Sequence, residues 1–144
     1  MRSANVLANS KVHVKAKISA LWASVMLCYA YGDLIAFYVP GGLQRIMTGK
    51  MGSWPATPKL LLGVAVFMSI PAVMIALALL LKPAVNRWLN VTMAGAYAAI
   101  NFYTMIDAWK SGYYYYVYLT VVDVALSLLI VRYSLTWPKQ PAEA

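Results

Sequence analysis

The chain has 144 residues, of which 62% are hydrophobic and 11% charged, and its formal net charge is +8. Soluble domains average about 45–50% apolar and about 25% charged residues, so this composition excludes an ordinary soluble domain and indicates a small integral membrane protein. The basic residues lie outside the apolar runs instead of forming one basic face on a soluble module. That placement excludes nucleic acid as a partner and leaves the lipid bilayer.

Four apolar segments predict an all-α integral membrane four-helix bundle. The predicted spans cover residues 18–39, 59–81, 84–107 and 114–136 of a membrane domain at 18–137. A basic tail, residues 1–17, precedes this domain, and a short tail, residues 138–144, follows it. The first apolar run is longer than the core of a secretory signal, so we interpret it as an uncleaved helix.

Two loop and span features refine this architecture. Pro40-Gly41-Gly42 ends the first span, and the apolar side chains that follow predict a short interfacial helix over Leu43–Thr48 in the first outer loop.

In the second span Pro71 frees a backbone carbonyl, which a neighbouring helix must satisfy. That span has almost no polar side chain. We therefore expect the most lipid-exposed helix of the four, packed through its small residues Gly63, Ala72 and Ala76.

The basic residues also predict the orientation. Of the twelve, eight lie in the N-terminal tail, the second turn and the C-terminal end: Arg2, Lys11, Lys15, Lys17, Lys82, Arg87, Arg132 and Lys139. The opposite side holds Arg45, Lys50, Lys59 and Lys110. The positive-inside rule then predicts a multi-pass protein of the cell inner membrane with both termini in the cytoplasm.

Three of the four predicted spans carry a polar stripe at helical spacing. The stripes are Ser19, Trp22, Met26, Tyr29, Asp33 and Phe37 in the first span, Asn86, Asn90, Ala94, Tyr97, Asn101 and Thr104 in the third, and Tyr116, Thr120, Asp123, Ser127, Ile130 and Ser134 in the fourth. Three polar stripes cannot all face lipid, so we expect them to face one another.

Within these stripes, Asp33 and Asp123 form the predicted polar centre. They converge in the outer half of the bundle with five further residues: Tyr29, Tyr97, Asn101, Tyr116 and Thr120. A charge at such depth costs several kcal/mol unless it is compensated, and the centre has no basic residue. The carboxyl groups are therefore protonated, share a proton, or hold a cation with help from tyrosine rings. In the structural alternative both are neutral hydrogen-bonding groups that hold helices together.

Three functions stay open on this pattern. The first is binding or proton-coupled transport of a small cationic or amphipathic ligand in an outward-facing polar pocket. The second is an accessory or structural subunit of a larger membrane complex, and the third is an intramembrane enzyme acting on a lipid or quinone. The single His13 and single Cys28 predict neither a metal site nor a disulfide and disfavour an enzyme. The sequence does not identify a cofactor or the ligand. It also leaves open whether the protein forms a homo-oligomer or binds a partner in a membrane complex.

Several sequence blocks carry a resemblance to a known family. They are Tyr29-x-Tyr31-x-Asp33, Pro40-Gly41-x-Leu43-x-x-Ile46-Met47-Thr48-Gly49, Ile70-Pro71, Asn86-Arg87-Trp88-x-Asn90 and Trp137-Pro138. On these blocks the chain resembles a family of small four-span bacterial membrane proteins of unknown function. The chain departs from that pattern at Ser69 and Asp123, where relatives carry Glu. More distantly, the architecture is similar to that of DoxX-type four-span proteins, some of which work with quinone-linked redox complexes.

Overall fold

The computed structural model describes residues 11–51 and 54–138, which form five α-helices and one pair of two-residue strands. The elements are α1 (Val14–Tyr38), α2 (Gly42–Met47), β1 (Lys50–Met51), β2 (Trp54–Pro55), α3 (Pro58–Leu80), α4 (Pro83–Lys110) and α5 (Tyr114–Leu135). The predicted tails at 1–17 and 138–144 fall mostly outside the described residues. Where described, the first tail is already helical from Val14 onward.

Three of these helices indicate a membrane protein. α1, α3 and α5 are each long and apolar enough to cross a bilayer. α4 is the longest helix, with 28 residues, but it includes three asparagines (Asn86, Asn90 and Asn101) and so does not reach the same apolar level. The all-helical prediction is confirmed, apart from the strand pair β1–β2 in a stretch expected to be loop.

The four long helices run antiparallel to their chain neighbours. We call the end that carries α2 and the strands the loop end, and the end where α1 begins and α5 ends the terminal end. α5 packs closely along α4 and along α1, and α1 also packs on α3. α3 and α4 approach each other much less closely, although they are consecutive. The interior therefore lies between all four long helices, and long side chains of α1 and α4 meet across it.

The turn after α1 depends on two glycines. Gly41 adopts a φ of 73°, in the left-handed region that favours glycine. A Cβ on Gly42 would clash with the Ala36 carbonyl oxygen, so no other residue fits there without a shift. This tight turn ends α1 at Tyr38 and starts the six-residue α2, where the sequence predicts a short helix.

The structure of α3 contradicts the prediction of its packing face and agrees with the prediction for the carbonyl group that Pro71 frees. Its buried residues are Pro71, Met74 and Ala78, whereas Gly63, Ala72 and Ala76 are exposed, so the small residues chosen from the sequence do not form its packing face. The Pro71 ring lacks the N–H that would bond to the Phe67 carbonyl, four residues earlier. The Tyr97 hydroxyl donates to that oxygen at 2.6 Å, so a neighbouring helix satisfies the freed carbonyl as expected.

The predicted stripes of α4 and α5 are confirmed except at their loop-end residues, Thr104, which is half-buried, and Tyr116, which is exposed, and that of α1 is partly wrong. On α4 the stripe from Asn86 to Asn101 is buried, and on α5 the stripe from Thr120 to Ser134 is buried. The buried residues of α1 are Ile18, Ser19, Trp22, Val25 and Gly32. Asp33 and Phe37 are exposed. The helix is therefore turned so that Gly32 faces the interior and Asp33 lies beside it.

The terminal end contains a closed hydrogen-bond network. Asn90 Nδ2 donates to the Asn86 carbonyl oxygen (2.8 Å) and side-chain Oδ1, and Asn86 Nδ2 donates to the Ala78 carbonyl oxygen at 2.6 Å. Trp22 Nε1 donates to Asn90 Oδ1 at 2.7 Å. Lys15 Nζ donates to the carbonyl oxygen of Leu81 at 2.7 Å, at the end of α3. These bonds fasten α1, α3 and α4 together at one end.

Candidate functional site

A cavity of about 90 Å³ lies toward the loop end of the bundle and is lined by all four long helices. Its polar or titratable lining residues are Cys28, Tyr29, Asp33, Asn101, Thr104, Tyr116, Thr120 and Asp123. Gly32, Phe67, Met68, Ile100 and Leu119 complete the wall. A single water molecule needs roughly 10–15 Å³ of such volume, and drug-sized ligands occupy about 300–1,000 Å³. The cavity therefore has the size for a few waters or one small ion.

Six of the seven predicted site residues line this cavity: Tyr29, Asp33, Asn101, Tyr116, Thr120 and Asp123. Tyr29, Asn101 and Asp123 each lie nine residues into their helix when counted from Tyr38, Lys110 and Tyr114 at the loop end. At about 1.5 Å per residue this is a common depth of roughly 13 Å. The structure thus brings together, at one level, side chains from three helices that are far apart in sequence.

The two carboxylates occupy different positions in the cavity. Asp123 is buried, with 4% of its surface exposed, and its Oδ1 has no hydrogen-bond partner among the described residues. Asp33 is exposed, at the edge where the cavity meets the surface. The lining includes no lysine or arginine. One carboxylate therefore lies at the mouth and the other inside, without a basic partner in the wall.

Several of the polar groups around Asp123 already have partners within the protein. Asn101 Nδ2 donates to the Tyr29 hydroxyl oxygen at 3.0 Å, which joins α4 to α1 across the interior. The Thr120 hydroxyl donates to the Tyr116 carbonyl oxygen at 2.7 Å, and the Thr104 hydroxyl donates to the Asn101 carbonyl oxygen at 3.0 Å. The carboxyl groups are consequently the strongest acceptors left for a guest.

Tyr97, the seventh predicted site residue, does not line the cavity. Its hydroxyl is bonded to the Phe67 carbonyl, and its ring stacks on the Phe67 ring with centroids 4.8 Å apart. The Tyr29 ring lies 6.5 Å away on one side and the Trp22 ring 6.1 Å away, edge-on. Tyr97 is therefore a packing residue at the base of the site and has no free hydroxyl to offer a ligand.

The structure adds lining residues that the sequence did not single out. Cys28 lies one turn before Gly32 on the face of α1 that meets α5, and it contacts Asp123. Gly32 is buried at this contact between α1 and α5, and a Cβ there would lie 3.6 Å from the Leu119 side chain, at ordinary van der Waals distance. In the sequence, the i, i+4 spacing of Cys28 and Gly32 could have indicated that both residues lie on one face of α1. Ser69, the site of one family departure, is exposed and bonds to the Val66 carbonyl oxygen, away from the cavity.

The chemistry of the lining suits a cation. Carboxylate oxygens and hydroxyls attract positive charge, and the rings of Tyr29, Phe67 and Tyr116 offer negative faces to it. Among the described residues, no group of three or more His, Cys, Asp or Glu side chains could hold a metal ion. The arrangement is therefore a small polar site with two carboxylates.

These features define an all-helical membrane protein with a small polar cavity inside its helical bundle. Residues 8–143 match the family described as "Family of unknown function (DUF6326)", and the chain belongs to that family. This confirms the resemblance to a family of unknown function. No curated protein and no solved structure shows significant similarity to the chain.

Proposed function

We propose that this protein is a four-span membrane protein that binds a small cation in its cavity and exchanges it for protons at Asp33 and Asp123. α4 serves as the fourth span in this proposal. Its 28 residues correspond to about 42 Å of helix, and no charged residue lies between Arg87 and Asp107. Its asparagines are buried against other helices and do not face lipid. The short α2 then lies at the membrane interface with its apolar side chains toward lipid.

The orientation in this proposal follows the basic residues. Eight of the twelve lie at the terminal end or in the tails next to it, which favours a cytoplasmic location for both termini in the cell inner membrane. The cavity then lies in the outer half of the bundle and is reached past Asp33.

The observation that supports this function best is the pair of carboxylates lining a cavity with no lysine or arginine in its wall. Intramembrane carboxylates are expensive and mark ion or substrate sites. A carboxyl group that faces no cation is stable there in its neutral form. When it gives up its proton, a bound cation restores neutrality. Cation binding and proton release are therefore coupled by charge balance in this site.

The size of the cavity narrows the ligand. A volume of about 90 Å³ fits an ammonium, a methylammonium or an inorganic monovalent cation. It is too small for an amphipathic molecule of drug size, which needs about 300 Å³ or more. The proposal therefore commits to small cations.

Cys28 provides a direct test, because it is the single cysteine of the chain and it lines the cavity. We expect the purified protein in mild detergent to react with a small cationic methanethiosulfonate reagent about tenfold faster than with an anionic reagent of similar size, since the carboxylates concentrate cations. Methylammonium should slow the cationic reaction. Asp123→Asn should reduce the preference to near equality.

Two variants serve as controls. Asp107→Asn removes the same charge from an exposed position that does not line the cavity, and it should keep the full preference. Cys28→Ser should abolish labelling. Equal rates for the two reagents in the unmodified protein would contradict the proposal. If Asp33→Asn and Asp123→Asn then lowered only thermal stability, the carboxyl groups would be structural, as in the accessory-subunit alternative.

A further inference from the structure

Buried hydroxyl and carboxyl groups continue beyond the cavity along one face of α5. Asp123, Ser127 and Ser134 lie on the same stripe, each with no more than 4% of its surface exposed. Asp123 Oδ1, Ser127 Oγ and Ser134 Oγ all lack a hydrogen-bond partner among the described residues. Buried polar groups are nearly always satisfied, and ordered water is the usual partner where protein supplies none. These three orphan atoms therefore mark places for internal water.

A dry layer interrupts this line of polar groups. Trp22, Ala94 and Ile130 are fully buried and lie on α1, α4 and α5. Each is 16 residues into its helix, counted from Tyr38, Lys110 and Tyr114, which corresponds to a depth of about 24 Å. Asp123, at nine residues, and Ser127, at 13, lie on the loop side of this layer. Asn90 and Ser134, both at 20, lie on the terminal side.

The bundle is thus polar on both sides of one apolar layer. On the loop side the titratable groups that face the cavity are Cys28, Tyr29, Asp33, Tyr116 and Asp123, on α1 and α5. The residues that α3 and α4 contribute to the lining do not titrate. On the terminal side Arg87 Nε is a fourth buried atom without a partner in the part of the chain described. The apolar layer prevents the polar groups on its two sides from forming hydrogen bonds with each other, so such bonds do not explain why both sets are present.

We propose that these groups form a proton path across the bundle, from Asp33 and Asp123 past Ser127 to Ser134, and that Trp22, Ala94 and Ile130 are its closed gate. This inference rests on the proposed function, because it supplies the route by which protons leave the cation site. Asp123 receives a proton from the cavity side and passes it to internal water beside Ser127. When the gate is wet, the proton continues to water beside Ser134 and leaves at the terminal end.

Trp22 is the central gate residue. It is the largest fully buried side chain, and its Nε1 bonds to Asn90 on the terminal side while its ring touches Tyr97 on the loop side. Moving this ring removes the bulk of the layer and breaks one hydrogen bond. Opening of the gate therefore depends on Trp22 more than on any other side chain of the layer.

The test is proton flux in proteoliposomes, driven by a potassium gradient with valinomycin and recorded with a pH-sensitive dye in the lumen. We expect Trp22→Ala to raise the flux at least tenfold over the unmodified protein, and Ile130→Ala to raise it severalfold. Trp22→Phe, which keeps a ring but loses the Nε1 donor, should give a smaller rise than Trp22→Ala. Asp123→Asn in the Trp22→Ala background should return the flux to near the unmodified level.

Ile18→Ala is the matched control, since Ile18 is fully buried in the same core but lies 20 residues from Tyr38, on the terminal side of the layer. It should leave the flux within twofold of the unmodified protein. An equal rise in Ile18→Ala and Trp22→Ala would overturn the proposal, because it would show a general packing leak. Unmodified flux in folded Ile130→Ala, verified by circular dichroism and gel filtration, would overturn it even where Trp22→Ala fails to fold.

This assay separates the gate from the cation site. If Cys28 keeps its preference for the cationic reagent but the gate variants conduct no protons, the site binds cations and the path is wrong. If Cys28 shows no preference, the proposed function fails first, and the cavity is not a cation site.

Discussion

Two groups of buried polar side chains differ in the state of their hydrogen bonds: the asparagine network at the terminal end and Asp123 in the cavity toward the loop end. At the terminal end, Asn86 and Asn90 bond to each other, to the Ala78 carbonyl and to Trp22. Toward the loop end, Asp123 has an oxygen without a partner and faces a cavity. Both regions are buried within long helices. Burial of polar groups therefore does not by itself distinguish a structural contact from a site, whereas the state of the hydrogen bonds does.

This difference has an energetic meaning. A satisfied network holds helices in register and is destabilising to break. An unpartnered buried group destabilises the fold that contains it, so its presence requires a reason other than stability. The comparison predicts that substitutions at the two ends change the free energy of unfolding in opposite directions.

The largest expected effect is at the terminal end. Asn90→Ala should lower the free energy of unfolding by about 2 kcal/mol, because it leaves Trp22 Nε1 without an acceptor and removes both bonds to Asn86. The measurement is unfolding by SDS titration in mixed micelles, followed by circular dichroism. Ser24→Ala is the control, since the Ser24 hydroxyl bonds only to Ala20 within α1, and it should change stability by less than about 0.5 kcal/mol.

The loop end should respond in the opposite sense. Asp123→Leu removes a buried group with an unpartnered oxygen and fills part of the cavity with a side chain of similar size, so we expect a gain of about 1 kcal/mol. The same variant should lose the charge preference of Cys28 labelling. Stability and ligand binding thus change in opposite directions at one residue. A loss of stability comparable to that of Asn90→Ala would instead mean that Asp123 holds helices together.

The sequence predicted the interior of α4 and α5 well. Their asparagine, aspartate and hydroxyl residues recur at helical spacing among apolar neighbours, so the polar stripe itself reveals the buried face. Because α4 brings Asn101 and α5 brings Asp123 to the same depth, six of the eight polar or titratable lining residues followed from counting residues along predicted helices.

The orientation of α1 and α3 could not be predicted in the same way. Lipid is as apolar as a protein core, so the apolar residues that make up most of these two helices carry no signal for which face is buried. On α1 the deciding contact is the close approach of Gly32 to Leu119, which places Asp33 at the edge of the cavity. On α3 it is burial of Pro71 and Met74, while the small residues Gly63 and Ala72 remain outside. Both depend on how helices dock, which no single segment encodes.

The Tyr97 hydroxyl gives the sharpest test of which polar groups are structural. Tyr97→Phe keeps the ring contacts but leaves the Phe67 carbonyl without a donor, so we expect a loss of about 1 kcal/mol. In the Pro71→Ala background residue 71 regains its N–H and can bond to that carbonyl within α3. Tyr97→Phe should then cost less than about half as much, as measured by a double-mutant cycle. Equal losses in both backgrounds would show that the hydroxyl serves another partner, and would return Tyr97 to the cation site from which the structure separates it.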